Sequence, residues 1–308
     1  MQSSTASNIF EEVTDAYSYS DGDADGYIEE DVDKSYHSFT SFVYSVLIPV
    51  VCIPGVFGAC ICILIFTKKQ MRSSLNIYLA GLSIFDLVLL TMSLVIYPLM
   101  GACIQQEDQG PICQIFWHTS LFTYPISLIA QTGSVWTCVA ITVDRFLAVR
   151  YPLHMRLWCT SKRAICVLSF ITIISIVYKL PSAFELSQDE SGKLKPTSLR
   201  NHPLYIAIYI TYGYLLFLLL IPWVIIIVLN VITVNTIRAA YKTRRQMRMN
   251  QKTEDNDRMT KMATVMIVAF IVFNSLAGLN QVIEAFDWKV SLRPYFFTIG
   301  NLLVCVNR

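Results

Sequence analysis

Charged residues are scarce in this sequence. Only 15% of it is Asp, Glu, Lys or Arg, against 54% hydrophobic residues. A soluble domain carries roughly 25% charged residues to cover its surface. The shortfall excludes a water-soluble globule and says that much of the surface faces lipid. Net charge is +2, too small to point to a nucleic-acid partner. Patterns that carry catalysis are missing as well: there is no nucleophile–base pair, no metal cluster and no phosphate loop, so no enzymatic activity is expected. The nine cysteines lie mostly inside apolar runs, where a free thiol behaves as a small hydrophobe, and they lack the spacing of a zinc site or a small disulfide scaffold. The N-terminus has neither a basic stretch nor an apolar run, so no cleavable signal peptide is expected.

Two materials make up the chain. The first 36 residues hold ten acids and one base, Lys34. Such a segment buries too little apolar surface to fold alone, and residues 1–42 are expected as an acidic, disordered outer tether. From 43 onward the sequence is a series of apolar segments. Crossing the hydrocarbon core takes about 20 apolar residues, and six segments meet that length: 43–66, 75–99, 114–143, 164–184, 204–234 and 262–286. A seventh runs over 294–308. In lipid each segment must satisfy its own backbone, so all are expected as helices. The fold class is therefore an all-α membrane protein with seven spans. Lys and Arg fix its orientation. Sixteen lie in the short connections after the first, third and fifth segments, and six lie on the other side. The acidic N-terminus is outside and Arg238–Lys261 is cytoplasmic.

Ionisable residues inside a span are functional candidates by default. There are few: Asp86 in the second segment, Asp144 and Arg145 at the inner end of the third, Lys179 near the outer end of the fourth and Glu284 near the outer end of the sixth. No proton-relay ladder or comb of arginines is present, which argues against a pump or a voltage sensor.

Several motifs then stand together. Asn76-Ile77-Tyr78-Leu79 precedes Leu82-Ser83-Ile84-Phe85-Asp86; Asp144-Arg145-Phe146 closes the third segment; Arg150-Tyr151-Pro152-Leu153 follows; Pro222 interrupts the fifth. In these features the chain resembles the family A (rhodopsin-like) G-protein-coupled receptors. Tyr124-Pro125, Ile129–Trp136, Leu199-Arg200-Asn201, Phe273-Asn274-Ser275-Leu276 and Asn301-Leu302-Leu303-Val304 resemble the invertebrate FMRFamide-type neuropeptide receptors. The resemblance implies a multi-pass plasma-membrane receptor for a short, cationic, amidated peptide, signalling through heterotrimeric G proteins. It implies a ligand site at Tyr97, Tyr124, Ser127, Gln131, Tyr209, Tyr212, Asn280 and Glu284. Glu284 would pair the peptide's cation and the tyrosines would stack on its arginine or phenylalanine. It implies a G-protein switch at Asp144, Arg145 and Phe146, and a sodium ion held by Asp86, Ser134 and Asn307, three oxygen ligands that suit a hard cation. A retinal-based light sensor is argued against, because 294–308 has no lysine to form a Schiff base.

Departures from the family pattern matter too. The first-segment Gly-Asn pair is Gly58-Ala59 here, and the fourth segment has no Trp. The outer connection Ser182–Pro203 has no cysteine, so the family's usual outer disulfide is not expected. Cys103 and Cys113 are then expected as two free thiols, with a local bridge across the first outer connection as the alternative. The seventh segment is about 15 residues, or about 22 Å of helix, against a core of about 30 Å. The chain is therefore expected to stop inside the seventh helix, to be continued in a longer product, and not to activate a G protein as 1–308. The alternative function is a truncated, non-signalling form that binds peptide or associates with a full-length receptor.

Overall fold

The computed structural model describes residues 36–68, 73–106, 110–151, 158–189, 192–247 and 293–306. Among the described residues, five helices are long and apolar enough to cross a membrane. They are α1 (Tyr36–Phe66), α2 (Ser74–Gln105), α3 (Pro111–Arg150), α4 (Ser161–Lys179, continued by a 3-10 turn over Leu180–Phe184) and α5. The last begins at Pro203–Tyr205, passes through π-helical stretches at Ile206–Gly213 and Leu215–Leu220, and runs on as α-helix over Ile221–Met247. A shorter helix, α6 (Arg293–Val306), lies in the seventh apolar segment. The sixth segment, 262–286, and residues 1–35 lie outside the described residues.

Helix ends follow the local chemistry. Ser73 accepts a hydrogen bond from the Asn76 amide and Thr160 accepts from Arg163, so each hydroxyl satisfies an amide that the helix itself leaves unpaired. Gly110 precedes Pro111, whose missing N–H is no loss at a first helical position. Inside the helices the hydroxyls turn inward on their own backbone. Ser83, Thr91, Ser120, Thr132, Thr137, Thr142 and Ser175 all donate to the carbonyl four residues back. That hides them in an apolar medium. The third helix is the most enclosed of the five and α1 the least; α3 forms the centre against which α2, α4 and α5 pack.

Two features differ from the expectation from composition. First, α1 begins at Tyr36, not Val43, so 36–42 are helix and not tether. The polar residues there find partners: the Thr40 and Thr298 hydroxyls lie 3.3 Å apart, and Ser41 donates to the Gly101 carbonyl at 3.0 Å. Second, Cys103 and Cys113 are not free thiols but form a disulfide, with Cα atoms 4.8 Å apart. The cause is helix length. Both α2 and α3 run past their apolar segments into the outer connection, so only a short turn separates the two sulfurs.

Between α4 and α5 a small antiparallel hairpin forms from β1 (Leu186–Gln188) and β2 (Leu194–Pro196), with Leu186 opposite Pro196 and Gln188 opposite Leu194. Gly192 closes it with φ of 78°, a left-handed conformation that favours glycine. Leu186 and Leu194 pack on the disulfide, Phe116 and Trp117. The hairpin is held by these apolar contacts and by the polar cluster described next.

Candidate functional site

Glu185, the residue just before β1, organises the outer half of the bundle. Its side chain is 3% exposed and that of Arg200 is 1% exposed, and their Oε2 and Nη1 atoms are 3.2 Å apart. Tyr205 on α5 donates to Oε1 at 2.7 Å, and Tyr124 on α3 donates to Oε2 at 3.3 Å. Arg200 in turn lies over the Tyr124 ring, 6.0 Å from its centroid. Local turns make the pairing possible. The Thr197 amide donates to the Glu185 carbonyl, and the Arg200 amide donates to the Thr197 carbonyl, which folds the chain after β2 back beneath Glu185. One carboxylate thus ties the hairpin to α3 and α5. Buried charges cost least when they are paired and hydrogen-bonded, and both conditions hold here.

Beside it, Lys179 at the end of α4 is 5% exposed. The rings of Tyr178, Tyr209 and Tyr214 surround its Nζ, with centroids at 4.8, 5.6 and 5.5 Å. Tyr209 also donates to the Tyr178 carbonyl at 2.6 Å and stacks on Tyr205 with centroids 4.9 Å apart. Residues 205, 209 and 214 share a face because the helix there is wound with π turns, whose repeat is longer than that of an α-helix.

The residues expected in a ligand site therefore separate. Tyr124, Ser127 and Gln131 lie on α3 at helical spacing, with Ser127 and Gln131 partly buried. Tyr209 belongs to the same outer cluster. Tyr97 does not: it packs on Tyr44 of α1, with centroids 5.1 Å apart, and the Tyr44 hydroxyl accepts from Asn301 of α6. Tyr212 is 60% exposed and faces away from the cluster, since three residues past Tyr209 is off the 205–209–214 face. Asn280 and Glu284 lie outside the described residues. Sequence reasoning did not find Glu185, Tyr178, Tyr205 or Tyr214. A lone acid directly after an apolar segment, with Arg200 across a glycine turn, was the available signal for Glu185.

Deeper in the bundle, Ser134 donates to Asp86 Oδ1 at 2.8 Å, and both side chains are buried. Two hard oxygens on adjacent helices are suited to a small hard cation; Asn307 lies outside the described residues. At the inner end Arg145 is paired with its neighbour Asp144 through Nη2. The carboxylate is buried and the guanidinium is 39% exposed. Phe146 meets Tyr151 edge-on, and Tyr151 meets Trp158 in the same way. The Cys159 thiol donates to the Asp144 carbonyl at 3.8 Å. Burial, then the nearby Asp144 carboxylate, pushes the Cys159 thiol up from its ordinary range.

The chain thus combines an apolar helix bundle, a closed outer cluster, a buried carboxylate on α2 and an Asp–Arg pair at the inner end. Residues 58–308 match the family model of the 7 transmembrane receptor (rhodopsin family), and the chain belongs to that family as a multi-pass plasma-membrane protein. It is 30% identical over 285 residues to the FMRFamide receptor of Drosophila melanogaster, covering 86% of this chain and 50% of that protein. It is 29% identical over 271 residues to the FMRFamide peptide receptor frpr-18 of Caenorhabditis elegans, covering 84% of this chain and 62% of that protein. The sex peptide receptor of Drosophila melanogaster is 25% identical over 287 residues, 86% of this chain and 65% of that protein. The chain thus spans about half to two-thirds of the length of these relatives.

Proposed function

We propose that this chain is the peptide-binding helix bundle of a receptor for a short amidated neuropeptide of the FMRFamide type, a receptor that passes the signal to heterotrimeric G proteins. The observation that carries the reading is the likeness to two FMRFamide receptors across more than four-fifths of the chain. The outer cluster supports it. Tyr124, Ser127 and Gln131 on α3 and Tyr205 and Tyr209 on α5 offer the aromatic faces and polar groups that an Arg-Phe-amide end requires. In this reading Asn280 and Glu284 complete the site, with Glu284 pairing the peptide's arginine. At the inner end Asp144 holds Arg145 at rest, and activation releases the guanidinium to face the G protein. A sodium ion at Asp86 and Ser134 would favour the resting bundle.

The test is a concentration–response series in cells with calcium and cyclic-AMP readouts. Amidated Arg-Phe peptides are expected to act at least 10-fold more potently than the same peptides as free acids, since a terminal carboxylate puts an uncompensated charge at the site. Arg145→Ala should abolish signalling and leave peptide binding intact. Asp86→Asn should remove any sodium dependence of peptide affinity. Equal potency of amide and acid peptides would overturn the ligand assignment.

A further inference from the structure

Among the described residues, Lys179 has three π faces around its ammonium group and no anion within ion-pair distance. Tyrosine rings stabilise a cation through their quadrupoles, but an ammonium also has three N–H donors that seek acceptors. Among the described residues no carboxylate lies within ion-pair distance of Nζ, and no acceptor takes its protons. The carboxylate that acts on it at longer range is Glu185, and both Glu185 oxygens are already taken by Arg200, Tyr205 and Tyr124. A second donor in the same wall is also unsatisfied: the Tyr178 hydroxyl is enclosed and has no partner among the described residues. A largely buried cation held only by rings is costly. It is retained here next to tyrosines of the proposed ligand site, and Glu185, the carboxylate among the described residues that acts on it, is already engaged.

We propose that Lys179, in its cage of Tyr178, Tyr209 and Tyr214, is the subsite for a carboxylate of the peptide ligand, an aspartate or glutamate side chain that precedes the cationic amidated end. The proposal rests on the peptide-receptor reading and refines it. The terminal carboxylate is excluded as the occupant because amidation removes it. The ligand then presents opposite charges along its length, with the acid held between α4 and α5. The receptor excludes a second cation from the α4–α5 side, because it would meet a buried like charge.

The test uses two blocked amino acids of equal size, N-acetyl-aspartate amide and N-acetyl-asparagine amide, at millimolar concentration and matched salt. Thermal unfolding of the full chain in lipid nanodiscs is the readout. The aspartate probe is expected to raise the midpoint by about 2 °C or more over the asparagine probe, the sign that a ligand binds the folded state selectively. The difference should vanish in Lys179→Met and in Lys179→Gln. Equal shifts from the two probes on the unaltered chain overturn the subsite, as does an aspartate preference that survives in both variants. In the second arm, amidated peptides with Asp and Asn at one position should differ in potency by about 10-fold on the unaltered receptor, as a charge-assisted hydrogen bond implies. They should be equal on Lys179→Met. If amidated peptides fail to bind while the aspartate probe still requires Lys179, the proposed function falls and the anion subsite stands.

Discussion

Removing one half of the Glu185–Arg200 pair should do more damage than removing both halves. The two groups are 3.2 Å apart and almost wholly excluded from solvent. At an effective dielectric constant of about 20 their attraction is about 5 kcal/mol, set against several kcal/mol of desolvation for each ion. The net worth of the pair is therefore small, but the cost of orphaning either charge is about 3–5 kcal/mol. Glu185→Gln keeps the shape and still accepts from Tyr205, yet leaves a guanidinium that cannot shed its proton. Arg200→Met leaves a buried carboxylate without its cation. The double variant, with neither charge, should lie within about 1–2 kcal/mol of the parent. Apparent thermal midpoints of purified receptor, read with a thiol-reactive dye, measure all four proteins. Each single variant is expected lower by on the order of 5–10 °C. Additive losses in the double variant would show that the two residues do not act on each other and would refute the reasoning.

Three further outcomes are expected. Replacing both Cys103 and Cys113 by Ser should lower stability by about 2–3 kcal/mol, the loop entropy of closing about ten residues, and peptide mass mapping without reductant should recover the two cysteines in one linked species from the parent. Gly101→Ala places a methyl 2.4 Å from the Ser45 hydroxyl and 3.2 Å from backbone atoms of Ser41 and Ser45; α1 must move off α2, which should cost about 1–3 kcal/mol in the same unfolding assay. The raised Cys159 thiol implies less thiolate at pH 7.5–8.5 than a free cysteine has. Because the thiolate is the reactive form, its alkylation should be slower than that of a cysteine peptide, and faster after Asp144→Asn removes one source of the shift.

Periodicity and composition already determined much of this protein. Segments of about 20 apolar residues have to be helices in lipid, because no water is available to their backbone groups. That constraint is local, so it can be read without coordinates, and the structure has helices in six of the seven expected segments, the sixth lying outside the described residues. Motif residues were legible for a related reason: Asp144 and Arg145 are chain neighbours, and Asp86 and Ser134 lie at fixed heights on helices of known direction. The tertiary structure decided what depends on rotation and on long-range pairing. Whether Tyr209 or Tyr212 faces inward depended on π turns whose hydrogen bonds no propensity reveals. Whether Cys103 met Cys113 depended on how far two helices outrun their apolar stretches. Glu185 looked like an ordinary loop acid until Arg200, Tyr205 and Tyr124 converged on it from three parts of the chain. Sequence carries the cost of leaving a backbone group unpaired in lipid, while the pairing of two buried side chains exists only once the helices have packed.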